Sequence, residues 1–245
     1  MNAQWQRDEQ VMFEDCVFAD AYVEEELRDY ISPATTDNLL LWGLPGTGKS
    51  TVAKAIAYER YGTVELKENG VELLNCKDKE QAKKLKSDWL RNWYNFAHWN
   101  SNCPVLILDE IDELSDTQQR ELTAFIDFSN SGSLRSMVLA TTNIDLRNTN
   151  LRIKSFSDAL LSRFNAKLEL RQQAPESLLR LVQKKLLNAG IIRSDNDVLM
   201  ALTKQCDATS QTLDIRTVQS FVNKSIRRSK TSKKPPNAKP DLKLV

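Results

Sequence analysis

The sequence predicts an α/β fold in which a mainly parallel sheet is covered by helices on both faces and followed by a small all-helical domain. Short, continuous apolar runs recur through the first 170 residues, as strands buried on both faces require. Segments of helical period separate them, the alternation that builds parallel sheets. After Pro175 helical spacing continues but no strand pattern appears. With 245 residues the chain is long enough for one large domain or two small ones.

The elements follow in order. Residues 1–38 are polar and helical in parts, with an acidic patch at Glu24-Glu25-Glu26. Asn38-Leu39-Leu40-Leu41-Trp42 ends at a glycine and reads as a buried strand. Lys49 to Arg60 is an alanine-rich helix with Val52 and Ile56 four apart. Val71-Glu72-Leu73-Leu74 is a strand, and Glu80 to Trp99 reads as one long helix. Val105-Leu106-Ile107-Leu108 is the clearest buried strand. Then come a helix at Thr117–Phe128, a strand at Met137–Ala140, a short helix at Asp158–Arg163 and a last, alternating strand at Ala166–Leu170. Leu178, Leu179, Val182, Leu186 and Leu187 keep helical spacing, as do Asp197–Cys206 and Asp214–Ile226. The expected domains are 1–171, a helical domain 172–228, and a basic Pro/Lys-rich tail 229–245.

Composition narrows the function classes. The chain is 41% hydrophobic and 27% charged, as a globular protein is. Its start has no apolar stretch behind a basic end, so no signal peptide is expected, and no apolar run approaches the roughly 20 residues of a membrane span. Four cysteines, Cys16, Cys76, Cys103 and Cys206, stand singly, without CxxC spacing, which fits a reduced protein. With His98 the single histidine, zinc-hydrolase and Ser-His-Asp chemistry fall away. The net charge of +1 hides an asymmetry: residues 1–76 carry 6 basic and 14 acidic side chains, the remainder 28 and 19. The stretch from Lys224 on holds eight basic residues and one acid, a solvated tail or a contact for phosphates.

Three of the seven glycines fall within Gly43-Leu44-Pro45-Gly46-Thr47-Gly48-Lys49-Ser50. This fits G-x-x-x-x-G-K-[ST] completely, between a strand and a helix, as a phosphate-binding loop requires. Glycines let main-chain N–H groups turn inward around phosphates, and the helix N-terminus adds positive dipole. Lys49 would reach the β- and γ-oxygens, Ser50 would ligate Mg²⁺, and Gly43, Pro45, Gly46, Thr47, Gly48 and Thr51 complete the nucleotide-binding set. The second requirement is an acid ending a neighbouring buried strand. Val105-Leu106-Ile107-Leu108-Asp109-Glu110 supplies two: Asp109 to hold Mg²⁺ through water and Glu110 to orient and activate the attacking water. Asp112 and Glu113 read as solvated helix-entry acids.

With these motifs in place the sequence resembles the AAA+ ATPases, and is most similar to their clamp-loader branch, the replication factor C small subunits and their viral and phage counterparts. Asp37–Trp42 running into the loop, Val71-Glu72-Leu73-Leu74-Asn75-Cys76-Lys77-Asp78, Ala140-Thr141-Thr142-Asn143, Leu160-Leu161-Ser162-Arg163-Phe164 and Leu213-Asp214-Ile215-Arg216 carry the resemblance over about residues 13–228. It implies an AAA+ P-loop core with a helical lid, and ATP and Mg²⁺ as cofactors. It also implies that Asn143 is sensor 1, that Arg163 is an arginine finger reaching a neighbouring subunit's site, and that Arg216 is a sensor-2 residue on the lid. Val17 falls where the family packs the adenine. The finger element ends in Phe164 where the branch has cysteine, and the stretch carrying Arg147, Arg152 and Lys154 is longer than in the small subunits. Family clamp loaders continue into a collar domain, and about 18 residues follow Arg227, so a partner would supply the collar or the ring would close through AAA+ contacts alone.

The region around Lys83, Lys84, Lys86 and Arg91 corresponds to one that tracks the DNA backbone in the resembled family, a contact blind to sequence. Its competing reading is a solvated basic face. Trp89, Trp93 and Phe96 have the spacing of core aromatics. The expected function is an oligomeric ATPase of five or six like or unlike subunits that loads or places a sliding clamp or replicative helicase on DNA. The alternative is an ATP-gated scaffold, ring or filament, on DNA for recruitment or transposition regulation. The expected setting is the cytoplasm, with the nucleoid or a phage or viral replisome, or a nucleus, and no membrane.

Overall fold

The computed structural model describes residues 12–62, 70–206 and 212–232, with side chains to Ser229. The basic tail beyond residue 232, including Asp241–Val245, lies outside them. The chain divides into two compact units between Gln172 and Gln173.

The first unit is a five-stranded parallel sheet in the order β2-β3-β4-β1-β5. The strands are β1 (Leu39–Trp42), β2 (Val71–Asn75), β3 (Val105–Asp109), β4 (Met137–Thr142) and β5 (Ala166–Glu169). Successive side chains of a strand point to opposite faces, so unbroken apolar runs fill two cores. Leu40, Leu74, Leu106, Leu108, Val138 and Ala140 pack with Leu90 and Trp93 of α4 (Ser87–Asn100) and Leu122, Phe125 and Ile126 of α5 (Asp116–Ser131). Leu39, Leu41, Val105, Ile107, Met137 and Leu139 pack with Val52, Ala53 and Ile56 of α2 (Lys49–Tyr61) and Leu27 of α1 (Ala21–Asp29). Small alanines let α2 lie close to the sheet.

The long helix expected from Glu80 to Trp99 is two: α3 (Lys79–Ala82) and α4. Asp78 caps α3 through bonds from the Glu80 and Gln81 N–H groups. Lys86 then turns extended (φ −129°, ψ 150°), and the carboxylate of Glu121 takes the Ser87 N–H. The reason is geometric. Leu85 and Leu90 are both fully buried in one core, yet five residues apart on a continuous helix they would point about 140° from one another. Breaking the helix brings both inward. The aromatic expectation is also corrected in part: Trp93 is buried and Trp89 partly so, but Phe96 is 61% exposed, and the following Trp99 is 87% exposed.

Between β4 and β5 stand α6 (Thr149–Ser155), capped by Asn148, and α7 (Asp158–Leu161), capped by Ser157. The second unit consists of α8 (Pro175–Asn188), α9 (Asp195–Thr203) and α10 (Ile215–Ser232), with an antiparallel bridge between Gln173 and Leu213. Leu178, Val182 and Leu186 of α8, Val198 and Leu202 of α9, and Val218 and Val222 of α10 are buried. No described helix is long and apolar enough to cross a membrane.

Candidate nucleotide site

The site forms where β1, β3 and β4 end on one side of the sheet. β1 runs into the glycine loop, whose Gly43, Gly46 and Gly48 take φ of 142°, 81° and 91°. Gly43 is required for a second reason: a Cβ there would lie 2.2 Å from the carbonyl oxygen of Leu170. Gly48 stands at the N-cap of α2 and offers no side-chain acceptor, so the first N–H groups of that helix face the loop. Lys49 is 6% exposed, and its Nζ donates to the carbonyls of Gly43 (2.8 Å) and Leu44 (2.9 Å). Thr47 is buried and donates to the Leu44 carbonyl. Pro45 is exposed, while Gly46, Ser50 and Thr51 are half-buried.

The acids come from β3, which is not adjacent to β1. β4 stands between them. Side chains bridge the gap: Ser50 Oγ donates to Asp109 Oδ1 at 2.6 Å, and Thr141 Oγ1, from β4, donates to the same oxygen at 2.5 Å. Glu110 is the one non-glycine residue of the described chain with positive φ (58°, ψ 54°). Left-handed backbone in a glutamate costs on the order of 1–3 kcal/mol and needs surrounding bonds to hold it. Three are present. The Glu110 N–H donates to Thr141 Oγ1 (3.0 Å), its carbonyl accepts from the Glu113 N–H (3.1 Å), and its Oε1 accepts from Asn143 Nδ2 (3.2 Å). Asp112, expected to be a solvated acid, instead accepts the Asn143 main-chain N–H at 3.3 Å and is half-buried.

Lysine, hydroxyls and main-chain N–H groups at a helix start make a donor set for polyphosphate. A hydroxyl and a carboxylate 2.6 Å apart suit a hard, oxygen-seeking cation that takes its remaining ligands from phosphate and water. The residues present therefore fit a magnesium nucleotide, and Ser50 and Asp109 are the side chains that would hold its cation.

Other candidates lie further away or apart. Arg163, after α7, pairs with Asp127 of α5, described below. Val17 is half-buried in the segment before α1, between Cys16 and Phe18. Arg216 belongs to the second unit, exposed in the first turn of α10, where its N–H donates to the Asp214 carboxylate at 2.6 Å. Lys83 pairs with Glu80 (2.6 Å), Lys84 with Glu72 (3.6 Å) and lies over the Trp89 ring, and Arg91 lies over the Phe128 ring. Lys86 is exposed.

Several working residues gave no motif. Thr141 is, in sequence, only one residue of the strand end before Asn143. Asn38, 1% exposed, joins three elements: its Oδ1 accepts the Val138 N–H, its Nδ2 donates to the Arg163 carbonyl, and its N–H donates to Asn165 Oδ1. Gln119 is buried in α5, donates to the Leu114 and Ser155 carbonyls and accepts the Ser157 N–H, linking the acidic loop to the turn before α7. Arg60 is 7% exposed and donates to the carbonyls of Tyr30, Ser32, Pro33 and Thr35. A buried polar side chain carries no periodic signal, so its partners are invisible until the fold is known.

Comparison with known proteins places this arrangement. The profile of the AAA family, ATPases associated with various cellular activities, matches residues 39–172, more than half of the chain. The chain belongs to the AAA family. Curated relatives of this AAA chain include replication factor C small subunit 2 of Pyrobaculum islandicum, 33% identical over 98 residues, 40% of this chain and 30% of that protein. The replication factor C small subunit of Halobacterium salinarum is 32% identical over 110 residues, 44% of this chain and 33% of that protein. The matches thus span about a third of the length of these relatives. Among solved structures, the Thermotoga maritima RuvB Holliday junction branch migration motor superposes with a TM-score of 0.64 at 21% identity, over 88% of this chain and 64% of that one. Domain III of the Thermotoga maritima replication initiation protein DnaA gives 0.65 at 16%, over 92% and 91%. At these identities the two structures speak to the AAA fold, which they share with this chain.

Proposed function

We propose that the chain is a magnesium-dependent ATPase subunit that assembles with other subunits and acts on DNA, loading or placing a replication component. One observation carries the reading: the Ser50 hydroxyl, the Asp109 carboxylate and the Glu110–Asn143 pair converge beside a complete glycine loop. The likeness to replication factor C small subunits supports the DNA side of it.

In this reading Lys49 and the main-chain N–H groups of residues 46–50 bind the triphosphate, and Ser50 and Asp109 hold the magnesium. A cation held there would supply neutralisation of charge on the phosphates. Glu110 takes the proton of the attacking water, and Asn143 orients the Glu110 carboxylate and that water. Arg163 would serve a neighbouring subunit, where its guanidinium offsets developing charge. Arg216 would report the nucleotide to the helical unit. Val17 would lie against the base, and Lys83, Lys84, Lys86 and Arg91 would meet DNA phosphates. The domain roles proposed are an ATPase core to residue 171 and a lid over 172–228.

The test is the mass of the Glu110→Gln chain with ATP and Mg²⁺, with and without primer–template DNA, by light scattering and negative-stain imaging. A closed particle of five or six subunits that requires ATP is the expected result. Open filaments on DNA would favour a nucleotide-gated scaffold, and a monomer with no ATP bound would sink both readings.

A further inference from the structure

Thr141 does something that neither the glycine loop nor the acidic pair accounts for. Its side chain is 1% exposed, and its hydroxyl acts in both directions. It donates its single proton to Asp109 Oδ1 at 2.5 Å and accepts the Glu110 N–H at 3.0 Å. One hydroxyl thus ties the carboxylate of the first acid to the main chain of the second. It does so where the chain leaves β3 through the single left-handed non-glycine residue described. The Ser50 hydroxyl goes to the same Asp109 oxygen, so both donors gather on Oδ1. Thr141 comes from β4, the strand that separates β1 from β3, and it pairs with Leu41 of β1 in register.

We propose that Thr141 is a positioning residue of the hydrolytic site, and the proposal rests on the ATPase reading above. Its hydroxyl fixes the rotation of the Asp109 carboxyl. Oδ1 stays committed to the protein, which would leave Oδ2 free to serve a cation held together with Ser50. Through the Glu110 N–H the same hydroxyl holds the left-handed turn that aims the Glu110 side chain at Asn143. A serine hydroxyl can make both bonds. Valine fills the same shape and can make neither, leaving the Glu110 N–H without its acceptor.

The two substitutions, Thr141→Val and Thr141→Ser, are compared with the parent in three measurements. The first is affinity for a fluorescent ATP analogue in EDTA, which reads the glycine loop alone. The second is Mn²⁺ affinity of the nucleotide complex, by electron paramagnetic resonance. The third is steady-state turnover with DNA. Thr141→Val is expected to keep the EDTA affinity within twofold, weaken Mn²⁺ about tenfold and lower kcat 10- to 100-fold with KM little changed. Thr141→Ser is expected to recover most of both losses. Should valine unfold the chain, serine alone decides: a folded Thr141→Ser that loses Mn²⁺ affinity as badly as an Asp109→Asn chain overturns the proposal. So does a folded Thr141→Val with parental Mn²⁺ affinity and turnover. A parent chain that binds the analogue but never hydrolyses ATP would refute the ATPase reading instead, and the Mn²⁺ titration would still judge Thr141.

Discussion

Arg163 is held within its own chain by Asp127: Nε meets Oδ1 at 2.7 Å and Nη2 meets Oδ2 at 2.8 Å. Nη1 is engaged as well, by Ser162 Oγ at 2.8 Å. The paired guanidinium keeps the Asp127 carboxyl below its ordinary range, and the carboxylate raises the arginine in turn. Because the aspartate is the depressed partner, the pair is whole above the usual aspartate pKa and is lost only as pH falls through the lowered one. Near neutrality salt, not pH, would loosen it.

The first prediction concerns that pair. If Arg163 serves a neighbouring site, it must exchange Asp127 for phosphate on assembly. An Asp127→Asn chain is expected to bind ATP as the parent does and to reach half-maximal turnover at a subunit concentration about 2- to 5-fold lower, the modest scale of an exposed ion pair. Arg163→Ala should bind ATP normally and lose turnover about 10³-fold. Turnover measured against protein concentration checks both, and parental turnover by Arg163→Ala would remove the finger assignment.

Lys49→Ala should weaken nucleotide binding about 100-fold or more, since the ammonium also fastens the loop through the Gly43 and Leu44 carbonyls. Titration with a fluorescent ATP analogue reads this directly.

Asn143→Ala removes the donor that holds Glu110 Oε1. Turnover is expected to fall about 10²-fold while ATP affinity stays within a factor of two. Equal losses in both would mean that the amide serves binding and not the water.

Arg60 lies at the far end of α2, and replacing it with methionine takes the guanidinium from four carbonyls of residues 30–35, of which that of Ser32 keeps the Thr35 N–H. Stability is expected to drop by roughly 3 kcal/mol in urea unfolding. Unchanged stability would show that water satisfies those carbonyls.

Lys86 is exposed, whereas Lys83 is paired with Glu80. Lys86→Ala is therefore expected to lower the slope of log affinity for DNA against log salt by about 0.9, and Lys83→Ala by less. Identical slopes for parent and Lys86→Ala would take this lysine off the DNA.

The residues that announced themselves in the sequence did so through periodicity or motif. The three inner strands, β1, β3 and β4, follow from apolar runs, because a strand covered on both faces leaves no polar position to break the run; the edge strands β2 and β5 carry Glu72, Lys167 and Glu169, and β5 shows itself by alternation. The glycine loop and the Asp109–Glu110 pair follow from spacing alone. What failed was local continuity. The lysines, Glu80, Gln81 and Ala82 between residues 79 and 86 are good helix formers, and only the burial of both Leu85 and Leu90 forces the break between α3 and α4. Trp99 and Phe96 sit at helical spacing too, yet nothing in the described chain covers them. The connections of Thr141, Asn38, Gln119 and Arg60 were silent for another reason: each depends on partners tens of residues away, which only the fold brings near.

The strand order has a consequence of scale. Neighbouring strands lie about 4.8 Å apart, so with β4 interposed the walls formed by β1 and β3 stand about 10 Å apart. Were they neighbours, the main chains of the two strand ends would stand half as far apart. The tip of β4 lies between them and connects to both: Thr141 and Asn143 reach the acids, and Thr142 pairs with Trp42 at the start of the loop. The strand that ends just before Asn143 thus also sets the spacing between the glycine loop and the acids.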